Sequence, residues 1–418
     1  MNHHKPVLAK SFRALRPIPE KASEVIAPPY DVLNSDEARE WATDKPLSFL
    51  HVSKPEIDLP VDTLFDAPEV YNQGLKNLSR LISEKILIEE DADSLYICEI
   101  SSNGCKQTGV AFVASLEAYD LNLIKKHEYT TPRKEADRIQ NISKLNAQTG
   151  PVLLTYESNI HLKKILSKII TQDPIYDVYA DEGPRHKIWE LSDVDEMDAI
   201  LTIINNMGAL FIADGHHRSA AAAKVRDQRK QNNPNHNGRE NYNYFLSVAF
   251  PHDEMNILSY NRVVKDANSH TQKSLFQEIC KSFDLELSPA PFNPSKPKQF
   301  GMYFEGSWYK LELKQALDNI ADPVKSLGVS ILHDYLLEPI LGITDERTDQ
   351  RIDFMGGARG LEALAEKVDS GKMVIAFSLF PTAIDDLISV AKVGKIMPPK
   401  STWFEPKLLD GLLTHRID

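Results

Sequence analysis

The stretch FIADGHHRSAAAAK, residues 211–224, decides how this chain is read. GALFIA, 208–213, has the apolar run of a short strand, Asp214-Gly215 turns the chain, and the residues from His216 onward have helix-forming composition. A strand that passes through glycine into a helix leaves several backbone N–H groups aimed at one spot, and the helix dipole adds to them. Arg218 sits in the first turn, where its planar fork of donors reaches a phosphate or carboxylate bound there. The alanines at 220–223 let the helix lie close to a sheet. Asp214 as a plain N-cap accounts for the aspartate alone, so a capped helix and an anion site both stand open here. Adjacent helical residues diverge by roughly 100°, so His216 and His217 do not face one ligand from regular helix. A zinc pair calls for i, i+4 spacing instead.

Outward from that point the chain alternates strands and helices. RALRPIPEKASEVIAPPYDVL, 13–33, reads as extended chain with rigid corners at Pro17, Pro19, Pro28 and Pro29. SDEAREWA, 35–42, reads as a helix with Ser35 as N-cap, and EVYNQGLKNLSRLISEKILI, 69–88, as an amphipathic one. SLYICEISS and TGVAFVASLEAY are strands, with a hairpin turn expected at Asn103-Gly104. A loop entering a helix follows at 124–150, then the strand PVLLTY. RKQNNPNHNGREN, 229–241, interrupts the pattern as a surface loop or a boundary. Beyond it, YNYFLSVAF, NILSYNRVV, RIDFMG and MVIAFSLF read as strands, QFGMYFEGSWYKLEL as a hairpin turning at Glu305-Gly306-Ser307, and SLGVSILHDYLLEPIL and ARGLEALAEKV as helices. The expected fold class is α/β (α+β), in two domains, 1–235 and 236–418.

The chain has 418 residues, of which 42% are hydrophobic and 26% charged, the composition of a soluble globular protein. No apolar run approaches the roughly 20 residues that span a bilayer, and the N-terminus lacks a signal-peptide pattern, so the expected location is cytoplasmic. Three cysteines, Cys98, Cys105 and Cys280, are too few and scattered for a disulfide framework and read as reduced packing residues. With 48 basic against 60 acidic residues the net charge is −12, which repels nucleic-acid backbones. Any anion site is therefore a local basic pocket.

Three further clusters carry polar chemistry. Lys125, Lys126, His127, Arg133, Lys134 and Arg138 set six cationic positions against Glu128, Glu135 and Asp137. Such a run also reads as a solvated helix face, but its HEYTTP portion has the character of a loop, where functional side chains concentrate. APPYDV, 27–32, presents Asp31 from a stiff loop, or Asp31 satisfies its own backbone in a turn. KIMPPKSTWFEPK, 395–407, holds Lys400, Ser401 and Thr402 in extended chain. No G-x-x-x-x-G-K-[ST], G-x-G-x-x-G or G-x-S-x-G pattern occurs, so standard P-loop and kinase readings have no support.

FRALRP at 12–17, APPYDV at 27–32, KKHEYTTPRKEADR at 125–138, DGHHRSAAA at 214–222 and PPKSTWFEPKLLDGL at 398–412 together resemble a large prokaryotic family catalogued as a domain of unknown function. That family is related to free L-serine kinases of the ParB/sulfiredoxin-like superfamily. The resemblance implies a ParB/sulfiredoxin-like phosphate-binding core, an additional mixed α/β domain whose PPKST segment returns to the active site, and a Gly-x-His-Arg element at a helix start. Gly215, His217 and Arg218 fill that element, with His216 at the place where sulfiredoxins carry their catalytic cysteine. Neither a helix-turn-helix module nor a basic surface of the ParB kind is present.

What the resemblance implies is phosphoryl transfer from ATP, ADP or pyrophosphate to the hydroxyl of free L-serine, giving O-phospho-L-serine. Gly215, His216, His217 and Arg218 then form the phosphate cradle. Lys125, His127, Arg133, Lys134 and Arg138 add cationic contacts, and Lys400, Ser401 and Thr402 close it. Mg²⁺ is the expected cofactor, carried with the donor phosphates, with Asp214 as its carboxylate. Asp31 is the first choice of general base, with Glu128 and Asp214 as alternatives. The expected partners are the small-molecule substrates, without nucleic acid or membrane, and a homodimer is permitted. Two other functions remain open: a non-catalytic regulatory protein that binds a nucleotide or phosphometabolite, and a metal-dependent phosphohydrolase.

Overall fold

The computed structural model describes residues 6–102, 104–179 and 183–418. Asn103, half of the expected hairpin turn, lies outside the described residues. The chain divides into two compact units. One comprises 1–126, 130–255 and 406–418; the other comprises 127–129 and 256–405.

The first unit is built on a nine-stranded sheet. From one edge its strands run Ile124–Lys125, Leu210–Asp214, Val152–Tyr156, Tyr244–Pro251, Cys105–Ser115, Leu95–Ser102, Arg185–Leu191 and Tyr176–Tyr179, with Ala9–Lys10 paired to Cys105–Ser115. Most neighbours are antiparallel, but Tyr244–Pro251 runs parallel to Val152–Tyr156, and Leu210–Asp214 parallel to Ile124–Lys125. Central strands are buried on both faces, which is why VAFVAS and VLLTY read as unbroken apolar runs. Phe112, Phe245, Phe250 and Tyr156 are fully buried there, each contributing roughly 2 kcal/mol of burial. A four-stranded sheet in the same unit joins Leu87–Glu89, Ala14–Pro17, Thr414–Arg416 and Ala147–Gln148, so both ends of the chain meet in one layer.

The boundary expected at 235/236 differs from this division. The polar stretch 233–240 is a surface excursion, and the strand after it, Tyr244–Pro251, pairs inside the first sheet with Val152–Tyr156 and Cys105–Ser115. The units separate at 255/256, and Pro406–Asp418 belongs to the first. The PPKST segment, 398–402, belongs to the second.

The second unit has a six-stranded sheet in the order Phe283–Ser288, Ser307–Leu313, Gln299–Phe304, Ile375–Leu379, Tyr260–Val264 and Ile352–Gly356, antiparallel at every pairing. Its hairpin turns at Glu305-Gly306, with φ of 47° and 75°, the left-handed pair that matches strand twist. The expected helix from 326 is shorter than its pattern: Gly328–Leu332 is α-helical and then widens into a π turn over His333–Leu337. Together the two units are mixed α/β of the α+β kind.

Local chemistry explains other differences. The helix Ser35–Ala42 is capped by Asn34, one residue before the expected Ser35, because Glu37 stands three positions after Asn34 and completes a capping box. Pro19–Lys21 and Ala22–Val25 form short helical turns where extended chain was expected. Cys98 is buried as expected, whereas Cys105 and Cys280 are exposed. No helix among the described residues is long and apolar enough to cross a membrane.

Candidate anion site

The strand Leu210–Asp214 carries a register shift between Ile212 and Asp214 against Val152–Tyr156. Such a bulge re-aims the last side chain of a strand. The helix His216–Asn232 then begins at Gly215, whose φ of 95° is left-handed. A Cβ there would stand 3.3 Å from the Val152 Cα, so glycine answers both the conformation and the close approach to the strand. Asp214 is not the N-cap: its Oδ1 accepts the Gly215 N–H at 2.8 Å, and the helix start has no side-chain cap among the described residues. The N–H groups of a first helical turn have no intrahelical acceptor, and the helix dipole favours an anion beside them. Ala222 and Ala223 pack into the main apolar cluster of the sheet, and Ala221 packs with Ile142, Val225, Tyr242 and Ile417.

The two histidines part as the helical period requires. His216 is buried, and burial pushes its pKa down to about 4, against the pull of Asp214, so it is neutral at pH 7. His217 turns to the helix Pro132–Leu145, where its Nε2 accepts the Thr131 N–H at 3.0 Å.

Arg218 is the centre of the arrangement. Its Nη1 donates to the Pro151 carbonyl at 2.8 Å, its Nη2 lies 3.8 Å from Asp31 Oδ1, and its guanidinium sits 5.3 Å from the Tyr30 ring. Arg138 stacks over the same ring at 3.9 Å and donates to Asp137 at 2.8 Å. Two guanidiniums thus lie close to the Tyr30 ring. Burial raises its phenol to about 12, with Asp31 adding to the shift and the arginines opposing it. Burial alone lowers the Arg218 pKa, but Asp410, Asp31, Tyr30 and Asp214 outweigh it and the net direction is up. Asp214 is likewise raised by burial, but Lys407 and Arg218 overcome this and hold it low. Lys407 Nζ lies 2.9 Å from Asp214 Oδ2.

A cavity of about 20 Å³, room for one water-sized group, lies among Tyr30, Arg138, Thr149, Gly150, Arg218 and Asp410. Sequence reasoning missed three contributors here: Lys407, Gly150 and Asp410. Asp410 and Gly411 lie in the LLDGL tail, an Asp-Gly pair with Gly411 at φ 94°, which was the available signal.

Of the other expected site residues, Lys125 lies on the edge strand Ile124–Lys125. Arg133 is engaged away from this cluster, 3.0 Å from Asp66 and 4.6 Å over the Phe65 ring, while Lys134 is exposed on the same helix. His127, Glu128, Lys400, Ser401 and Thr402 belong to the second unit. There His127 Nε2 is 3.4 Å from Thr402 Oγ1, Ser401 Oγ donates to the Pro398 carbonyl at 2.6 Å, and Lys400 Nζ stands over the Tyr260 ring at 5.5 Å. Arg262, fully buried, holds that segment by donating to the Pro399 and Lys400 carbonyls at 3.2 and 3.1 Å and pairing with Glu346 at 3.3 Å.

The fold and this cluster define an α+β protein with a paired-arginine pocket at a helix start. The chain belongs to the family described as Protein of unknown function (DUF1015), whose model matches residues 9–330. No curated protein matches it. Similar solved structures include a free serine kinase in complex with AMP, 13% identical, covering 71% of this chain and 86% of that one, with a TM-score of 0.34. Another is SbnI with a C-terminal truncation from Staphylococcus aureus, 12% identical, covering 72% and 85%, with a TM-score of 0.38. A conserved hypothetical protein from Pyrococcus furiosus is 13% identical, covering 73% and 94%, with a TM-score of 0.34.

Proposed function

We propose that the first unit is the phosphate-handling core of a small-molecule phosphotransferase, which moves a phosphoryl group from ATP, ADP or pyrophosphate to the hydroxyl of free L-serine and yields O-phospho-L-serine. The observation that carries the reading is the juxtaposition of Arg218 with Asp31, 3.8 Å apart. It sets a fixed cation beside a carboxylate whose side chain is 48% exposed. Phosphoryl transfer asks a protein for little else than that pairing: donor phosphates held and neutralised, and a hydroxyl aligned with a base in reach.

In this reading the N–H groups that follow Gly215, with Arg218 and Arg138, hold phosphate oxygens. Asp31 takes the proton of the serine hydroxyl as its oxygen attacks phosphorus, and the bond to the leaving phosphate breaks. The preference for free serine rests on the motif resemblance. Mg²⁺ keeps several waters and takes one or two carboxylates together with phosphates. Asp214 fits such a role, since its side chain stays 42% exposed at the helix start. The ion, when bound, supplies charge neutralisation on the donor.

Phosphorus NMR of the protein with Mg²⁺, over ATP, ADP and pyrophosphate against a panel of amino acids and small alcohols, tests this directly. The expected result is a new phosphoester that requires serine and is lost in Arg218→Ala. Thermal stabilisation by a donor with no product in any combination would replace the kinase with a nucleotide- or phosphometabolite-binding regulatory protein. Donor breakdown without an acceptor, dependent on a stoichiometric metal, would replace it with a phosphohydrolase.

A further inference from the structure

We propose that Asp410 is a positioning residue for Arg218, and that it takes up a proton when an anion docks against that arginine. This rests on the reading of Arg218 as part of an anion cradle.

Asp410 lies 1% exposed in the C-terminal segment of the first unit. Its backbone is clamped on both sides to Ala27, with N–H to carbonyl distances of 3.1 and 3.0 Å, so the loop that carries Tyr30 and Asp31 is tied to it. Its carboxylate and the Arg218 guanidinium both border the bare face of Gly150. A Cβ on Gly150 would lie 2.7 Å from Asp410 Oδ1 and 3.2 Å from Arg218 Cζ. Oδ1 is buried and has no hydrogen-bond partner among the described residues, on a residue that lines the water-sized cavity shared with Arg218. An orphaned carboxylate oxygen beside a guanidinium is costly while it is charged and much less so once protonated.

The groups around Asp410 come from three elements. Arg218 faces it from the helix His216–Asn232 and Arg138 from the helix Pro132–Leu145, both favouring its charge. Asp31 opposes that charge from the 27–32 loop, and the Tyr30 N–H of the same loop supports it. Burial is the largest influence and pushes Asp410 up to about 6. At pH 7.5 it is therefore mostly ionised and neutralises Arg218. An anion arriving at Arg218 adds a third negative group to Asp31 and Asp410, and protonation of the buried one relieves the repulsion. Asp410 thereby keeps the arginine placed when no ligand is bound and yields its charge when one is.

Sulfate is the probe, because it mimics a phosphoryl group and does not titrate near neutrality. Calorimetry in two buffers of different ionisation enthalpy counts the protons exchanged on binding. Wild type is expected to take up close to one proton per sulfate at pH 7.5, and to bind roughly 40-fold more weakly at pH 8 than at pH 6. Asp410→Asn is expected to bind more tightly than wild type at pH 8 and to lose most of that proton uptake. Proton uptake unchanged in Asp410→Asn overturns the proposal and leaves the cradle standing. Sulfate binding that is absent, or unaltered in Arg218→Ala, overturns the cradle and the proposal with it. The proton count on wild type decides the matter by itself where the variant fails to fold, since a value near zero excludes the uptake.

Discussion

Lys407 Nζ donates to Asp214 Oδ2 at 2.9 Å, linking the C-terminal segment to the strand end that precedes the helix start. The pair orients the carboxylate whose other oxygen receives the Gly215 N–H. Lys407→Met removes the charge and keeps much of the stem. The pair is partly exposed, at 21% and 42%, so the stability loss is expected to be at most about 1 kcal/mol in urea unfolding. Phosphoryl-transfer activity is expected to fall at least about tenfold, because a mobile Asp214 no longer fixes the helix start. A variant as active as wild type would remove Lys407 from the machinery.

Arg262 is a structural anchor of the second unit. Its side chain is fully buried beside Glu346, which is 3% exposed and also accepts from His333 at 3.1 Å. Truncation of one partner leaves an uncompensated buried charge, so Arg262→Ala is expected to cost about 3 to 5 kcal/mol. The double variant Arg262→Met with Glu346→Leu removes both charges and is expected to be less destabilised than Arg262→Ala. Denaturant midpoints of the two variants and wild type check the order; equal losses would remove the charge argument.

These two pairs mark the limit of what the chain reveals as a string. The strand, glycine and helix of 210–232 form a local unit, so the left-handed Gly215 and the divergent histidines were legible. Arg218 was legible for the same reason, but its partners come from Tyr30 and Asp31 near one end of the chain and Asp410 at the other. Pairing across that distance follows from the four-stranded sheet that gathers both termini, and no periodicity announces it. The polar loop 233–240 looked like a boundary because composition does not separate a long surface excursion from a linker. Only the pairing of Tyr244–Pro251 distinguishes them. Arg133, expected beside the phosphates, is drawn to Asp66 instead, a residue that carried no functional signal.

Acid is expected to unfold the first unit through histidines held neutral. Burial lowers His186 to about 3, and His216 and His415 each to about 4. The unfolded chain binds protons at these positions from about pH 6.5 downward, while the folded one resists until its own lower pKa values. Stability is therefore lost as pH falls through that window, by roughly 2 kcal/mol per histidine at pH 5. Unfolding titrations of wild type and His216→Gln check this: the variant should have the shallower slope between pH 6.5 and 4.5. Parallel curves would mean that His216 is charged in the folded protein.

Asp410 acts in the opposite sense. Its folded pKa of about 6 exceeds the unfolded carboxylate value, so the folded state gains protons first as pH falls. Its ionisation costs stability above about pH 6, and that cost is absent below about pH 4. Asp410→Asn is expected to be more stable than wild type by about 2 to 3 kcal/mol at pH 8 and no more stable at pH 4. A difference that stays constant with pH would place the ionised carboxylate in a satisfied environment.

Gly215 is the most exacting backbone position of the site. At φ 95° an alanine is strained, and its Cβ would press on the Val152 backbone at 3.3 Å, which cannot swing aside as a side-chain tip does. Gly215→Ala is expected to cost about 2 kcal/mol and to displace the first-turn N–H groups by enough to weaken sulfate or donor binding at least about tenfold. Gly208→Ala, seven residues earlier, is the control: beyond its chain neighbours no atom of the described residues stands within 4 Å of its Cβ position, and its φ is not left-handed. That variant is expected to be neutral or slightly stabilising. If both variants bind sulfate alike, the helix start is a packing feature, and the anion must be held by Arg218 and Arg138 without help from the backbone.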